Sequence, residues 1–377
     1  MRIAMIIEAW KPIWGGGQAH VFELSKKLVK NHNCKIDIYV MNLKDETGNT
    51  QQRIEGYKYE NLKIIRTGKP RNFYSFKDRI LWIFNVVKEI KKNHKQNNYD
   101  LIHAHANLPG IPGKILSRLL RIPLVYTIHG TNFLDLKKKN LFYFVEKLLF
   151  TTFKYDAQIS VSKNILKYKN NNTPTIIPNG VSLKKFSCQS INKTGKDYFK
   201  IIFVGRLDKI KGIDILLKSL STIKKQLLQK KVQVHLIGYG YEEKYFKELS
   251  KKLKLQNIVF FRGKIIDERL TREYCTSNLF VLPSLSEGQP LTLLEAWAAK
   301  LPVIVTDVGD NKYFVENKIN GYIIPPKDTE ALSKKIIETI NNPNLKQLGL
   351  KGYNLINKKY TWTRVAKQTY KIYQVLS

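Results

Sequence analysis

Two glutamates eight positions apart, Glu287 and Glu295, bracket Gly288-Gln289-Pro290 and a short apolar run. Proline suits the first position of a helix, where its missing N–H leaves nothing unsatisfied, so the spacing predicts a helix opening at Pro290 with Glu287 in the preceding loop. Glu295 then lies about 7.5 Å along that helix, at about 1.5 Å per residue. A carboxylate pair that cleaves a glycosidic bond normally comes from separate elements about 5 to 10 Å apart across that bond. The arrangement here better suits two carboxylates gripping separate parts of an extended ligand, the alternative being two solvated acids flanking a helix start.

Cations stand on another loop. The β-branched run Phe199–Val204 ends in Gly205-Arg206-Leu207-Asp208-Lys209-Ile210-Lys211-Gly212, from which Arg206 and Lys211 could compensate a diphosphate leaving group. Each such contact has a gross attraction of about 4 kcal/mol at about 4 Å and an effective dielectric near 20, part of which desolvation takes back. Lys209 reads as a solvated loop lysine. Near the start, Gly15-Gly16-Gly17 runs directly into a helix, where a Cβ-free backbone and free N–H groups can approach an anion, or simply make a tight turn. Gly238-Tyr239-Gly240 is a weaker signal, because Glu243 stands where a dinucleotide fingerprint wants a third glycine.

Histidines form a third group. His103 and His105 alternate on a strand and share one face, and His129-Gly130 closes the next strand at its ligand edge. A paired-histidine metal site needs further ligands, and the sequence identifies none. There is also no Asp-x-Asp, so the expectation is a site with no metal and no cofactor.

These residues need strands to carry them. Candidate strands Arg2–Glu8, Lys35–Met41, Asp100–His105, Pro123–Ile128 and Asp156–Val161 alternate with helical stretches such as Gln18–Lys30 and Phe142–Tyr155. The alternation restarts with strands Phe199–Val204, Val232–Ile237, Asn257–Phe261, Asn278–Leu282 and Pro302–Thr306, interleaved with helices Ile213–Lys224, Tyr241–Lys254, Asp267–Thr276 and Pro290–Lys300. This predicts an α/β chain of two Rossmann-like, doubly wound domains, with loop-rich carboxyl strand ends facing a cleft. The polar segment Ser182–Asp197 reads as the linker, giving domains 1–182 and 183–360, and the last helix, Trp362–Leu376, has no strand after it and is expected to return to the first domain. A length of 377 residues suits two cores.

The formal charge of +35 invites a nucleic-acid reading, but residues 1–182 carry +17 and the remainder +18, with no recognition motif in either. No duplex partner is expected. Anionic small ligands, a lipid-phosphate acceptor or an acidic membrane surface remain open. Stretches such as Arg79–Lys88 and Lys137–Phe144 mix basic and aromatic residues as membrane-surface helices do, or as helices packed on a sheet with solvated lysines. No run reaches the about 18 apolar residues of a membrane span. The expected location is the cytoplasm, with a peripheral place at the inner face of the membrane left open, and Cys34, Cys188 and Cys275, far apart in sequence, are expected as reduced thiols.

Taken in order, these pieces resemble retaining glycosyltransferase family 4, which has the two-domain GT-B fold. The resemblance covers nearly the whole chain: Gly15-Gly16-Gly17-Gln18-Ala19-His20-Val21, Asp100-Leu101-Ile102-His103-Ala104-His105, Thr127-Ile128-His129-Gly130, Ile177-Pro178-Asn179-Gly180-Val181, Val204-Gly205-Arg206-Leu207 with Lys211-Gly212, the pair Glu287 and Glu295, and Tyr360-Thr361-Trp362. It implies that Arg206, Lys211 and the backbone of Gly16 and Gly17 bind the diphosphate of a UDP- or GDP-sugar, that Glu287 contacts its sugar, that Glu295 holds the ribose and that His129 lines the sugar pocket. The acceptor would be a glycan or a lipid-linked sugar, the first domain serving the acceptor and the second the sugar donor. Retention without a metal is implied, with catalysis by leaving-group stabilisation and positioning. The chain departs from the family pattern at Gln289, Lys300, Asp310 and Tyr313. A sugar-nucleotide epimerase or a phosphorylase of similar architecture is the rival reading, distinguished by consumption of the sugar donor without acceptor.

Overall fold

Runs of Ile, Val, Leu and Phe that lack a polar face can be buried on both sides only in a sheet covered by helices, and two such sheets form here. The structure is a computed structural model and describes residues 1–44, 52–56, 60–130, 141–188 and 197–377. The chain divides into two compact units, Met1–Asn179 with Trp362–Ser377, and Gly180–Thr361.

In the N-terminal unit the strands are β1 (Arg2–Ile6), β2 (Lys35–Leu43), β3 (Ile54–Gly56), β4 (Leu62–Arg71), β5 (Leu101–His105), β6 (Leu124–Ile128), β7 (Ala157–Ser160) and β8 (Thr175–Ile176). They pair in the order β3-β4-β2-β1-β5-β6-β7-β8, parallel throughout except for the antiparallel edge β3–β4. Helices α1 (Gly16–His32), α2 (Phe76–Asn97) and α3 (Gly110–Leu120) follow β1, β4 and β5. The C-terminal helix Trp362–Leu376 packs on α1 in this unit, as the sequence suggested. Phe142–Tyr155 is not one regular helix: Leu141–Lys147 is α-helical and Leu148–Thr152 widens into a π-turn.

In the C-terminal unit all six strands are parallel, β9 (Phe199–Val204), β10 (Val232–Ile237), β11 (Val259–Gly263), β12 (Leu279–Leu282), β13 (Val303–Thr306) and β14 (Tyr322–Ile324), in the order β11-β10-β9-β12-β13-β14. The central position of β9 sends its exit loop, with Arg206 and Lys211, beside the exit of β12, with Glu287. Apolar side chains from both sheet faces, among them Phe203, Leu236, Val281 and Trp297, form one buried core.

Three further expectations need correction. Pro290 is not the first helical residue but the one before it, with extended backbone at ψ 117°, and the helix runs Leu291–Ala298. The proposed linker is partly packed structure: Lys185 accepts a hydrogen bond from Thr271 at 3.1 Å and Phe186 meets the Tyr274 ring edge-on at 5.5 Å, whereas residues 189–196 lie outside the described ones. The same packing brings Cys188 to Cys275, which form a disulfide with Cα atoms 5.4 Å apart despite 87 residues of separation. Cys34 alone is a buried free thiol. Residues 137–140 of the basic-aromatic stretch Lys137–Phe144 also lie outside the described ones.

Candidate active site

After β9 the chain makes one tight turn, Lys209–Lys211, and enters the helix Ile213–Thr222 through Gly212. Gly212 has φ +66°, and a Cβ there would sit 2.0 Å from the Pro283 carbonyl oxygen, so only glycine lets the two loops approach this closely. Leu285 then donates its N–H to the Ile210 carbonyl at 2.8 Å. The consequence is a direct contact: Lys211 Nζ lies 2.6 Å from Glu287 Oε1, and the Ser284 hydroxyl donates to the same oxygen at 2.6 Å. From the other side Gly309, at φ +57°, lets its backbone come against the Glu287 carbonyl, and the Asp310 N–H donates to Gly288 at 3.1 Å. Glu287, only 7% exposed, is thus fixed by backbone on two sides and by a cation in front.

Arg206 differs. Its side chain is 64% exposed and lies 3.1 Å from the Asp208 carboxylate, so its guanidinium is displayed rather than buried. Glu295, fifth residue of its helix, is held apart from Lys211 and Glu287: the Tyr274 hydroxyl donates to Oε2 at 2.9 Å. Burial raises its carboxyl to about 7, against the opposing pull of Tyr274 and Lys185.

In the N-terminal unit β1 leads to Gly15, whose extended backbone precedes α1, so Gly16 and Gly17 supply first-turn N–H groups of the kind left without intrahelical partners. Gly17 lies against the His129 ring. His129 Nε2 is 3.3 Å from His105 Nδ1, and the His20 ring meets His129 edge-on at 4.7 Å between centroids. His20 Nδ1 bonds Asn179 Oδ1 at 2.7 Å; with an amide oxygen as acceptor the proton sits on Nδ1, leaving Nε2 unprotonated. His103 and His105 share a face as their alternation required, with rings 3.9 Å apart. His103 is committed to the Tyr373 hydroxyl at 2.5 Å and to Thr127 at 2.7 Å, whereas His105 Nε2 is buried without a hydrogen-bond partner among the described residues. Burial, the largest influence, lowers all four imidazoles, His20 to about 4, so the cluster is uncharged at neutral pH.

Ring nitrogens of His20, His105 and His129 all lie within 4.8 Å of one another. Among the described residues this is the set that could hold a transition-metal cation, with Asn179 fixing the tautomer of one ligand. Sequence reasoning sought a third ligand for His103 and His105 and missed His20, which stands four residues after Gly16 and points into the same cluster.

Two family profiles match consecutive stretches of the chain, Glycosyltransferase Family 4 over residues 14–185 and Glycosyl transferases group 1 over residues 186–353. An uncharacterized glycosyltransferase of Methanocaldococcus jannaschii is 30% identical over 373 residues, 97% of this chain and 96% of that protein. The chain belongs to glycosyltransferase family 4.

A UDP-Gal:alpha-D-GlcNAc-diphosphoundecaprenol alpha-1,3-galactosyltransferase of Escherichia coli is 28% identical over 315 residues, 76% of this chain and 79% of that enzyme. Sucrose-phosphate synthase from Thermosynechococcus elongatus has a TM-score of 0.87 at 23% identity, covering 100% of this chain and 98% of that one, which establishes the GT-B glycosyltransferase fold. Within this family 4 chain the structure brings Lys211 to Glu287 and Gly17 to His129, and keeps Arg206 and Glu295 on separate contacts. Asn179 and His20 were both visible in the family-like segments, but no local signal joins residues 159 positions apart.

Proposed function

We propose that this glycosyltransferase transfers a hexosyl group, with retention and without a bound metal, from a UDP- or GDP-sugar to a glycan or lipid-linked acceptor in cell-surface polysaccharide or glycolipid synthesis. The carrying observation is the Lys211–Glu287 contact on the loop that also displays Arg206. A cation shared with a carboxylate can turn toward a diphosphate as negative charge accumulates there, and an exposed guanidinium can pair with phosphate oxygens bidentately. Gly16 and Gly17 add backbone N–H groups, Glu295 accepts ribose hydroxyls, Glu287 orients the transferred sugar, and His129 lines its pocket as a neutral polar group.

The C-terminal unit serves the sugar donor and the N-terminal unit the acceptor. The named activity of the Escherichia coli relative, which uses UDP-galactose and a lipid-diphosphate acceptor, supports both the nucleotide-sugar class and a lipid-linked acceptor. The proposed location is cytoplasmic. Glu287 and Glu295, the carboxylates of the site among the described residues, are held on separate contacts rather than as a nucleophile and its acid, and on this reading leaving-group stabilisation and positioning carry the rate. A panel of UDP- and GDP-sugars, read by thermal shift and by release of nucleoside diphosphate, tests the reading. Stabilisation by one nucleotide class with acceptor-dependent release is expected; release that goes on equally without any acceptor, yielding an epimerised sugar, would overturn it.

A further inference from the structure

Three consecutive elements of the N-terminal unit turn an unusual surface outward. Helices α2 and α3 pack on each other, and the segment after the short helix Leu141–Lys147 joins them, since Trp82, Leu116 and Phe150 share one core. Their connections, β4 to β5, β5 to β6 and β6 to β7, all advance the same way along the sheet, which with right-handed crossovers puts all three on one face.

Trp82, Ile83, Val86 and Ile90 fill the inner side of α2. Its outer side, at steps of three and four, carries Lys77, Leu81, Phe84, Lys88, Lys91 and Lys95, all exposed. Phe84 is 68% exposed. On α3 and just after it Ile115, Arg118, Leu119 and Arg121 are exposed, and the third element adds Phe144, Lys147 and Leu148. The acids on these elements do not offset the cations. Asp78 is bound to Arg71 at 2.9 Å, Glu89 to Arg53 at 3.0 Å, and Glu146 is buried and accepts from Asn107 at 3.0 Å. Arg79, which the sequence grouped with the basic-aromatic stretch, is not part of this surface, because it is clamped to Glu8 by two contacts of 2.5 and 2.8 Å.

We infer that the face formed by α2, α3 and the short helix Leu141–Lys147 docks on an anionic lipid bilayer. Large apolar side chains interleaved with lysine and arginine, on helices whose inner sides are already occupied, match the two demands of a bilayer surface: Phe84, Leu119 and Phe144 enter the headgroup boundary while the cations meet lipid phosphates and carboxylates. A protein partner of opposite charge would be matched as well by lysines alone, and the exposed aromatic and aliphatic residues favour lipid. The inference stands on this surface and does not require the sugar-donor and acceptor assignments above.

The test is co-sedimentation of the full chain with phosphatidylcholine vesicles, with and without phosphatidylserine, over a salt series. Binding to the anionic vesicles only, weakened by salt, is expected. The Lys88→Glu/Lys91→Glu/Lys95→Glu variant should bind more than about tenfold more weakly, each lysine near an anionic surface being a substantial share of the attraction. Phe84→Ser should weaken binding at every salt concentration. Lys225→Glu/Lys230→Glu/Lys231→Glu makes the same change in net charge at exposed positions of the C-terminal unit and should bind as the parent does. Thermal melts confirm folding of each variant. Equal loss in the two triple variants, binding that ignores lipid charge, or tighter capture by a DNA duplex than by vesicles would each overturn the inference. No turnover is read, so a failed sugar-donor screen and a failed vesicle assay are separate results.

Discussion

In the C-terminal unit Lys211 pairs with Glu287 and Arg206 with Asp208, whereas in the N-terminal unit burial strips charge from His20, His103, His105 and His129. The first arrangement suits a ligand part whose charge changes during reaction, because cations already placed on the loop can compensate that charge as it grows. The second suits hydroxyl groups, which a neutral imidazole can meet as donor or acceptor without the cost of burying an ion. On the proposed reading the chemistry is divided between a unit that compensates ligand charge and one that meets uncharged groups.

The most demanding test is removal of the cations. Arg206→Ala or Lys211→Ala should remove about 2 to 4 kcal/mol of transition-state stabilisation, roughly 30- to 1000-fold in kcat/KM, much of it in kcat. The two should separate in stability. Lys211→Ala leaves the Glu287 carboxylate buried with only the Ser284 hydroxyl, so its melting temperature should fall, while Arg206→Ala, on an exposed side chain, should melt as the parent does. Initial rates and melts of both variants check this, and equal melts would show that the Lys211–Glu287 contact does not hold in solution.

The two carboxylates sharpen the comparison within the charged unit. Glu287→Gln should depress kcat by about 30-fold and leave affinity for free nucleoside diphosphate nearly unchanged, as expected of a group beside the reacting sugar. Glu295→Gln should act on sugar-donor KM by about tenfold and show the same loss when the nucleoside diphosphate alone is titrated, the scale of one charge-assisted hydrogen bond. Calorimetry on both variants decides it: if Glu287→Gln weakens nucleotide binding as much as Glu295→Gln does, the division of roles is wrong.

How much of this was legible in advance follows physical lines. β9 and β10 were read to the residue because continuous β-branched runs survive even with Lys200 and His235 inside them; Lys200 pairs with Glu273 at 2.5 Å, and His235 lies 3.4 Å from the same carboxylate. β4 was missed because Arg66, Gly68 and Pro70 break the apolar pattern; Arg66 is buried there, where it reaches the Glu55 carboxylate at 2.8 Å and the Gln52 carbonyl at 2.8 Å. Candidate site residues at strand exits could be named from the chain alone. Their contacts could not, since the Lys211–Glu287 pair spans 76 residues and the Cys188–Cys275 bond 87, and each depends on loops packing in three dimensions.

A pH series separates the units again. The Glu295 carboxyl, raised from an ordinary 4.5 to about 7, stays protonated in the free protein below about pH 7. In the proposed role of Glu295 ribose hydroxyls donate to the ionised form, so binding should expel a proton, and nucleotide affinity should fall about tenfold per unit as pH drops below 7 and level off above it. For stability the sign is opposite: the native state holds this proton more tightly than the unfolded chain, so its contribution is present at low pH and lost as pH rises from about 4.5 to about 7. His20, at about 4, and its depressed neighbours stay neutral over the upper part of that window. Titrations in buffers of different ionisation enthalpy report the proton directly, and a profile unchanged in Glu295→Gln would assign the dependence elsewhere.

The smallest expected effect is none at all, on chelation. Arg206 and Lys211 already supply two positive charges from one loop, and the sequence contains no Asp-x-Asp to hold a divalent ion beside the diphosphate, so turnover should survive dialysis against EDTA. Strict dependence on added Mg²⁺ or Mn²⁺ would show that this charge accounting is wrong for the C-terminal unit. The neutral cluster offers a different way to fail. Its three imidazoles bring ring nitrogens within 4.8 Å of one another, a donor set suited to zinc-class cations rather than to Mg²⁺, which prefers oxygen. Activity lost to EDTA, restored by Zn²⁺ and insensitive to Mg²⁺ would therefore place a metal in the N-terminal unit, and His20→Ala should then abolish the restoration while leaving nucleoside diphosphate binding intact. Unchanged rates through both treatments would leave the imidazoles as uncharged polar groups and the cations of the other unit as the compensation for the leaving group.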